Sequence, residues 1–320
     1  MKIKGLNFQV NAASGSLSWF GDGYWYHEIY KRLIPGYKQT IERISFVAKT
    51  TTLNYNAGNL PWKKNFQPKG LFAACIKIYF LLGLMLNAVG LSGPGFRTLL
   101  ATGRWQKINR PFGISFSAIS KTLDGMIMEA MNFVGIILEA RKAGWRFPDW
   151  VQVNDSCPNI QHLDDELAII KLLEVFTPLK REGIVIDLKT NIKMKNSVIK
   201  EIEIRHLCNI LTVSNTLKWG DPDVGINWEK LLWWRKTSPL AKFGGGAVSG
   251  RVLRPLVFAK VKSIRHDGID LPLKVSGGIF TKKDVRTVKE IGGNAIEISA
   301  IFSVRPWRLR GVVKEAEKLF

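Results

Sequence analysis

Eight short runs of apolar, largely β-branched residues recur along the chain, most of them separated by stretches long enough to hold a helix. They fall at Asn7–Ala12, Ile44–Thr50, Phe112–Ala118, Trp150–Asn154, Ile184–Lys189, Ile210–Asn215, Leu273–Gly278 and Ala295–Ser299. Near-continuous apolar runs of this length suit parallel strands covered on both faces. Parallel neighbours need a crossover connection, usually a helix. The segment "SAISKTLDGMIMEAMNFVGIILEARKAG" has apolar spacing for one covered face and a stop at Gly144, and "DDELAIIKLLEVFTPLKREG" ends the same way at Gly183. "TKKDVRTVKEIGG" opens with Thr281 and Asp284 at capping-box spacing and closes on Gly292–Gly293. This alternation predicts an α/β fold, a (β/α)8 TIM barrel. The structural alternative is an open doubly wound sheet, but no GxGxxG opens a first βα unit. No Gly/Ser or Pro-rich linker divides the chain. Residues 1–320 therefore read as one domain, with an elaborated segment over roughly 53–110 that caps the barrel mouth.

Hydrophobic residues make up 46% of the chain, enough for a large core. The three cysteines, Cys75, Cys157 and Cys208, are far apart and form no CxxC pair. That argues against a disulfide framework or a zinc site and predicts a reducing, cytoplasmic setting. The opening "MKIKGLNFQVNAASGS" has no apolar signal-peptide core. Gly70–Leu91 approaches a membrane span in length and apolarity, with Lys77 its only charge. Gly83 and Asn87 interrupt it, so it is expected to be a buried helix running into a strand or loop. A formal charge of +21 would attract phosphates, nucleic acid or anionic lipid. The basic residues are scattered without a dense tail, so a solvated basic surface is the preferred reading over membrane or nucleic-acid contact.

Barrel enzymes carry their chemistry at the C-terminal ends of the strands. Here the strand ends finish in polar or glycine signals: Ser14–Gly15, Lys49, Asn154, Lys189, Asn215–Thr216, Ser276–Gly277–Gly278 and Ser299. The glycine clusters in "FGGGAVSGRVLRP" and "VSGGIFTKKD" would present backbone N–H groups and a helix N-terminus to a phosphate. Lys49 ends an apolar strand, either simply leaving for solvent or placing a cation near an anionic ligand. Lys189 carries the same two readings, with Asp187 the inward residue in another register. Asn87, Asn154, Asn159 and Asn215 offer both hydrogen-bond types, as a planar heterocycle with imide and carboxylate edges requires. The four histidines lie away from the strand ends, which leaves Cys157 as the proton-transfer candidate at the rim.

These residues resemble the dihydroorotate dehydrogenases, FMN-containing barrel enzymes of pyrimidine synthesis. "NAASGS" is similar to the family's first-strand flavin segment, at Ala13, Ser14 and Gly15, and "FVAKTTTLNYNAGNLP" to its second-strand motif, at Lys49. "LNAVGLSGPG" looks like the substrate loop, at Asn87, and "VNDSCPN" like the active-site loop. In that loop the resemblance makes Asn154 and Asn159 substrate ligands and Cys157 the catalytic base. "SNT" resembles the sixth-strand motif, with Ser214 toward the cofactor and Asn215 and Thr216 toward the substrate. "GGAVSG" and "VSGGI" resemble the flavin-phosphate loops, at Ser249–Gly250 and Gly277–Gly278, with Ser299 following the eighth strand. Cysteine at the base position is similar to the soluble class. The chain departs from the family in its fifth strand, where the usual lysine context is replaced by "IDLKTNI". It also has one extra residue in "GGAVSG", no glycine in "EISAIF", and a long segment 61–85.

The resemblance implies that Cys157 takes a proton from C5 of dihydroorotate while hydride passes from C6 to N5 of FMN. Lys49 would steady the reduced flavin's negative charge. The acceptor would be fumarate, a partner flavoprotein passing electrons to NAD, or a quinone. A homodimer and an electron-transfer partner subunit are the protein partners it implies. Alternatives are an FMN enzyme for another pyrimidine, similar to dihydropyrimidine dehydrogenase or the tRNA-dihydrouridine synthases, and a flavin-less basic barrel that binds nucleic acid or membrane.

Overall fold

A computed structural model describes residues 1–70, 73–146, 148–155 and 166–320. Its centre is a closed barrel of eight parallel strands taken in chain order: β1 (Val10–Ala12), β2 (Ser45–Thr51), β3 (Phe112–Phe116), β4 (Trp150–Asn154), β5 (Val185–Thr190), β6 (Ile210–Val213), β7 (Leu273–Ser276) and β8 (Ala295–Ile298). β8 pairs with β1 to close the ring. Helices cross over between successive strands, among them Leu123–Lys142, Asn196–Ile204, Arg254–His266 and Lys282–Glu290. The fold is a (β/α)8 barrel.

Side-chain alternation builds two different interiors. Outward residues such as Ile114, Phe116, Val151, Val153, Ile186, Leu188, Val275 and Ile296 join the main apolar core beneath the helices. Inward residues at the N-terminal end are also apolar: Val47, Trp150, Val185, Ile210 and Ala295 cluster with Phe8. A short hairpin, Lys2–Ile3 with Leu6–Asn7, lays Ile3 and Leu6 against this floor. Trp150 fits because β3 carries glycine opposite it. A Cβ on Gly113 would stand 2.1 Å from the Trp150 indole nitrogen. Above the floor the inward positions become polar, with Gln152, Asp187, Lys274 and Glu297 all buried.

Helix boundaries follow their chemistry. Thr122 caps Leu123–Lys142 by accepting from the Gly125 N–H. Thr281 and Asp284 form the reciprocal capping box at Lys282–Glu290. Within "DDELAIIKLLEVFTPLKREG", expected as a single helix, the described residues form two, Glu166–Glu174 and Thr177–Arg181, with Pro178 in the first turn of the second. Proline is tolerated there and nowhere deeper in a helix.

The expectation for Gly70–Leu91 is corrected. The described part of this segment is an antiparallel hairpin, Ile76–Tyr79 with Leu84–Asn87, and no described helix is long and apolar enough to cross a membrane. Ile76 and Ile78 favour extended backbone, and Gly83 takes φ 65° in the turn. The hairpin joins Ala247–Gly250 and Leu217–Lys218 in a four-stranded antiparallel sheet. "FGGGAVSG" is thus a glycine turn feeding a strand rather than a loop throughout. The first expected strand is also shorter: Asn7 belongs to the floor hairpin and β1 starts at Val10.

Candidate functional site

One cavity of about 730 Å³ opens at the C-terminal end of the barrel, between the strand ends and the four-stranded sheet. Its size lies within the range of roughly 300–1,000 Å³ typical of ligand and cofactor sites. The residues expected at the rim converge on it. Ala13, Ser14 and Gly15 line it after β1, Lys49 from β2, Asn154 from β4, Lys189 from β5, and Ser214, Asn215 and Thr216 after β6. Gly277 and Gly278 follow β7, and Ser299 follows β8. Asn87, Ser249 and Gly250 come from the sheet on the other side. Cys157 and Asn159 lie outside the described residues.

The amide and hydroxyl groups form a connected chain. Asn215 donates through Nδ2 to Asn154 Oδ1 at 2.8 Å, and Asn154 Nδ2 donates to Thr50 Oγ1 at 3.0 Å. Thr50 Oγ1 also lies 2.8 Å from both Ser14 Oγ and Ser115 Oγ. Asn215 Oδ1 accepts the Thr216 N–H at 2.9 Å, which fixes which face of that amide is which. The groups holding one another are locked in rotamer before any ligand arrives, which lowers the entropy cost of binding.

Lys49 is held from three sides. Its ammonium donates to the Ser92 carbonyl at 2.6 Å and lies 5.1 Å and 5.4 Å from the ring centroids of Trp19 and Trp62. Trp62 in turn donates to Ser92 Oγ at 3.1 Å. An ammonium over an indole face is attracted by the ring quadrupole, so the carbonyl and the two indoles together position the lysine.

Lys189 sits on a buried charge network. It pairs with Glu297 at 2.7 Å. Lys274, fully buried, pairs with Glu297 at 2.9 Å and with Asp187 at 2.6 Å. Gln152 Nε2 donates to both carboxylates, and Thr212 donates to Asp187. Burial alone would raise the Glu297 carboxyl. Lys189 and Lys274 outweigh it and hold the group below the ordinary glutamate range. Burial would likewise lower Lys274, but Asp187 and Glu297 hold its ammonium above the usual lysine value. The two readings of the fifth strand thus coexist. Asp187 and Lys189 are two residues apart and face the same interior, Asp187 in the polar layer and Lys189 one step higher at the cavity.

Glycine is required where three backbones meet. A Cβ on Gly250 would stand 2.2 Å from the Gly83 carbonyl oxygen. One on Gly278 would stand 2.9 Å from the Gly250 oxygen and 3.0 Å from the Arg254 nitrogen. Both take positive φ, 107° and 71°. The helix Arg254–His266 starts beside them, with Leu253 on the cavity wall. Bare backbone and a helix N-terminus there form a cradle for an anionic group.

Several site residues escape a reading of the strand ends alone: Thr50, Ser115, Gln152, Lys274 and Glu297. Their signal is period-two polarity inside otherwise apolar strands, as in Trp150–Asn154, Val185–Thr190 and Leu273–Ser276. Tyr24 adds a hydrogen bond from its hydroxyl to the Gly15 carbonyl at 2.8 Å. Asp155, directly after β4, has its carboxyl pushed up to about 7 by burial. Of the other two thiols, Cys75 sits between the cavity-lining Ala74 and Ile76, close enough to Lys49 to feel its charge. Cys75 and Cys208 are free and buried, and burial pushes the Cys208 thiol up to about 12.

The family model described as dihydroorotate dehydrogenase matches residues 77–319. A dihydroorotate dehydrogenase A (fumarate) of Lactiplantibacillus plantarum is 25% identical over 222 residues, covering 67% of this chain and 66% of its own. A dihydroorotate dehydrogenase B (NAD(+)) catalytic subunit of Anoxybacillus flavithermus is 24% identical over 331 aligned positions, 100% of this chain and 90% of its own. The chain superimposes on a ligand-free DHODH from Eimeria tenella with TM-score 0.66 at 18% identity, over 98% of this chain and 85% of that one. The family match begins after β1 and β2. The structure supplies those two strands and closes the ring through β8, β1 and β2.

Proposed function

The chain belongs to the dihydroorotate dehydrogenase family, and from that premise we propose that it oxidises dihydroorotate to orotate with FMN as cofactor. One observation supports this most: a single cavity holds both the glycine cradle at Gly250 and Gly277–Gly278 and the amide cluster of Asn87, Asn154 and Asn215. The cradle fits a phosphate because a Cβ would fill it. The amide cluster fits a planar ring with carbonyl and N–H edges. FMN, when bound, supplies the two-electron acceptor for the hydride leaving C6 of the substrate.

The chain's own residues supply binding, orientation and proton transfer. The backbone of Ala13–Gly15 and the hydroxyls of Ser214, Ser249 and Ser299 would hold the flavin beside the cradle. Lys49 and Lys189 would bring cations to its ring system, where negative charge develops. Asn154, Asn215 and Thr216, with Asn87 from the opposite wall, would orient the substrate, joined by Asn159 of the loop after β4. Cys157, three residues beyond Asn154, would take the C5 proton. It need not be a standing thiolate, but its pKa must suit proton transfer near neutral pH, unlike that of Cys208.

The two relatives described above divide between fumarate and NAD(+) in their printed names, and either acceptor, or a quinone, is compatible with this site. A homodimer, an electron-transfer subunit and a cytoplasmic setting belong to the same proposal. The experiment is single-turnover reduction of the FMN-loaded protein by dihydroorotate, compared with Cys157→Ala. The proposal expects the variant to bind dihydroorotate but to reduce flavin slower by about 10²-fold or more, the usual weight of a general base. Reduction at the wild-type rate would remove Cys157 from the mechanism.

A further inference from the structure

The hairpin that carries Asn87 ends in an apex whose apolar side chains are exposed. Leu81 is 95% exposed, and Phe80 and Leu82 beside it are also exposed. The apex is not a loose turn. The Gly83 N–H donates to the Phe80 carbonyl at 3.2 Å, and the Arg251 N–H donates to the Gly83 carbonyl at 2.8 Å. Arg305 donates to the carbonyls of Phe80 and Leu81 and lies 5.5 Å from the ring centroid of Trp307, itself exposed. On the other flank Tyr79 packs edge-on to Trp234, which packs against the exposed Trp233. A rigid apex thus projects two leucines, with the half-exposed Phe80 at the cavity mouth and tryptophans at its sides.

The hairpin and the two segments on its flanks carry only positive charge. These segments are 76–83, 233–251 and 301–310. Each lies in a stretch with no acidic residue: Glu42 is followed next by Asp124, Glu229 by Asp267, and Glu297 by Glu315. The same stretches contribute Lys77, Arg235, Lys236, Arg251, Arg305 and Arg308. Aliphatic side chains at an apex, tryptophans at its shoulders and cations around them match the layering of an anionic bilayer: acyl chains, interface and phosphate.

We propose that this face docks the protein peripherally on an anionic membrane surface, with Leu81 and Leu82 entering the lipid and the surrounding lysines and arginines meeting its phosphates. The inference is independent of the reaction proposed above. Nucleic acid fits less well. Single strands are bound by stacking bases on aromatic faces, and exposed leucines at the leading point have no role in that. A second copy of the chain also fits less well. A two-fold interface sets the same patch against itself, which here would bring together two surfaces of the same charge.

The test is flotation of the full chain with vesicles of phosphatidylcholine alone or mixed with phosphatidylglycerol. The proposal expects binding to the anionic vesicles only, weakened by raised salt, and weakened on the order of tenfold by Leu81→Asp or by Leu82→Ser. Arg308→Glu should weaken it independently. Because Leu81 is exposed, far-UV circular dichroism and the melting temperature of Leu81→Asp should match the wild type. No flotation with either vesicle would overturn the proposal, as would flotation that both leucine variants leave intact. Self-association in light scattering that Leu81→Asp abolishes, in a protein that does not float, would assign the face to a second copy. RNA binding that depends on Leu81 in the same circumstances would assign it to nucleic acid.

Discussion

Asn215 and Asn154 are joined directly, Nδ2 to Oδ1 at 2.8 Å, so that the ends of the sixth and fourth barrel strands share one hydrogen-bonded unit at the cavity floor. Side chains in one network do not contribute additively. Asn154→Ala and Asn215→Ala should each lower kcat/KM for dihydroorotate by about 10–100-fold, and the double variant by clearly less than the product. Steady-state kinetics on the three variants measure the coupling. Strict additivity would mean the two amides do not act together.

Glu297 is the acidic hinge of the buried network, shared by Lys189 and Lys274. Glu297→Gln removes the carboxylate that pairs with both Lys189 and Lys274, while Lys274 keeps Asp187. Removing one partner of a buried pair costs about 3–5 kcal/mol. The variant should unfold at markedly lower denaturant, and its Lys189 should lose its fixed position at the cavity. Because the folded carboxyl is held below its ordinary value of 4.5, the pair stabilises the protein above that pH and is lost as pH falls through the folded value. The wild type should therefore lose stability in acid more steeply than Glu297→Gln does.

Gly250 allows no side chain: φ is 107° and the Gly83 carbonyl occupies the Cβ position. Gly250→Ala should separate the hairpin from the phosphate cradle. The expected result is loss of bound FMN on gel filtration together with a lowered melting temperature. Gly135, in a helix with open space around it, is the control, and Gly135→Ala should retain flavin.

Two groups give the fold opposing pH dependence. His27 is buried, and desolvation with a smaller effect of Lys31 lowers its imidazole to about 3. The unfolded chain binds that proton first, so this group's contribution is lost as pH falls from 6.5 toward 3. Asp155 is the reverse. Its carboxyl is raised to about 7, and stability is lost as pH rises from 3.8 toward that value. Between pH 4 and 6.5 the two slopes oppose, each limited to about 1.4 kcal/mol per pH unit. His27→Phe should leave a protein that loses stability as pH rises across this window, and Asp155→Asn one that loses it as pH falls. Urea unfolding at several pH values distinguishes them. Parallel profiles for both variants would contradict the assignment.

The barrel is legible in the sequence because eight apolar runs alternate with capped helical segments, and the capping box at Thr281–Asp284 is local chemistry. The hairpin at Ile76–Asn87 is not legible in the same way. Its mean apolarity suits a helix, and what fixes it as a strand is pairing with Ala247–Gly250, some 160 residues away. The rim residues converge as the strand ends imply, since a closed barrel brings every strand end to one mouth. The polar layer beneath them was visible only as alternating Gln152, Asp187, Lys274 and Glu297. Which lysine meets which carboxylate depends on closing the ring between β5, β7 and β8, and no local pattern encodes that closure. The family motif around Cys157 is sequence information alone, because that residue lies outside the described structure.

In the proposed reaction this cavity holds FMN and passes it a hydride from dihydroorotate. Anaerobic addition of dihydroorotate to the FMN-loaded protein, followed by visible absorbance, is the decisive measurement. The flavin should bleach stoichiometrically, with one orotate formed per flavin. A protein that takes up no FMN, or a flavin that stays oxidised with dihydroorotate yet is reduced by another dihydropyrimidine, would contradict it.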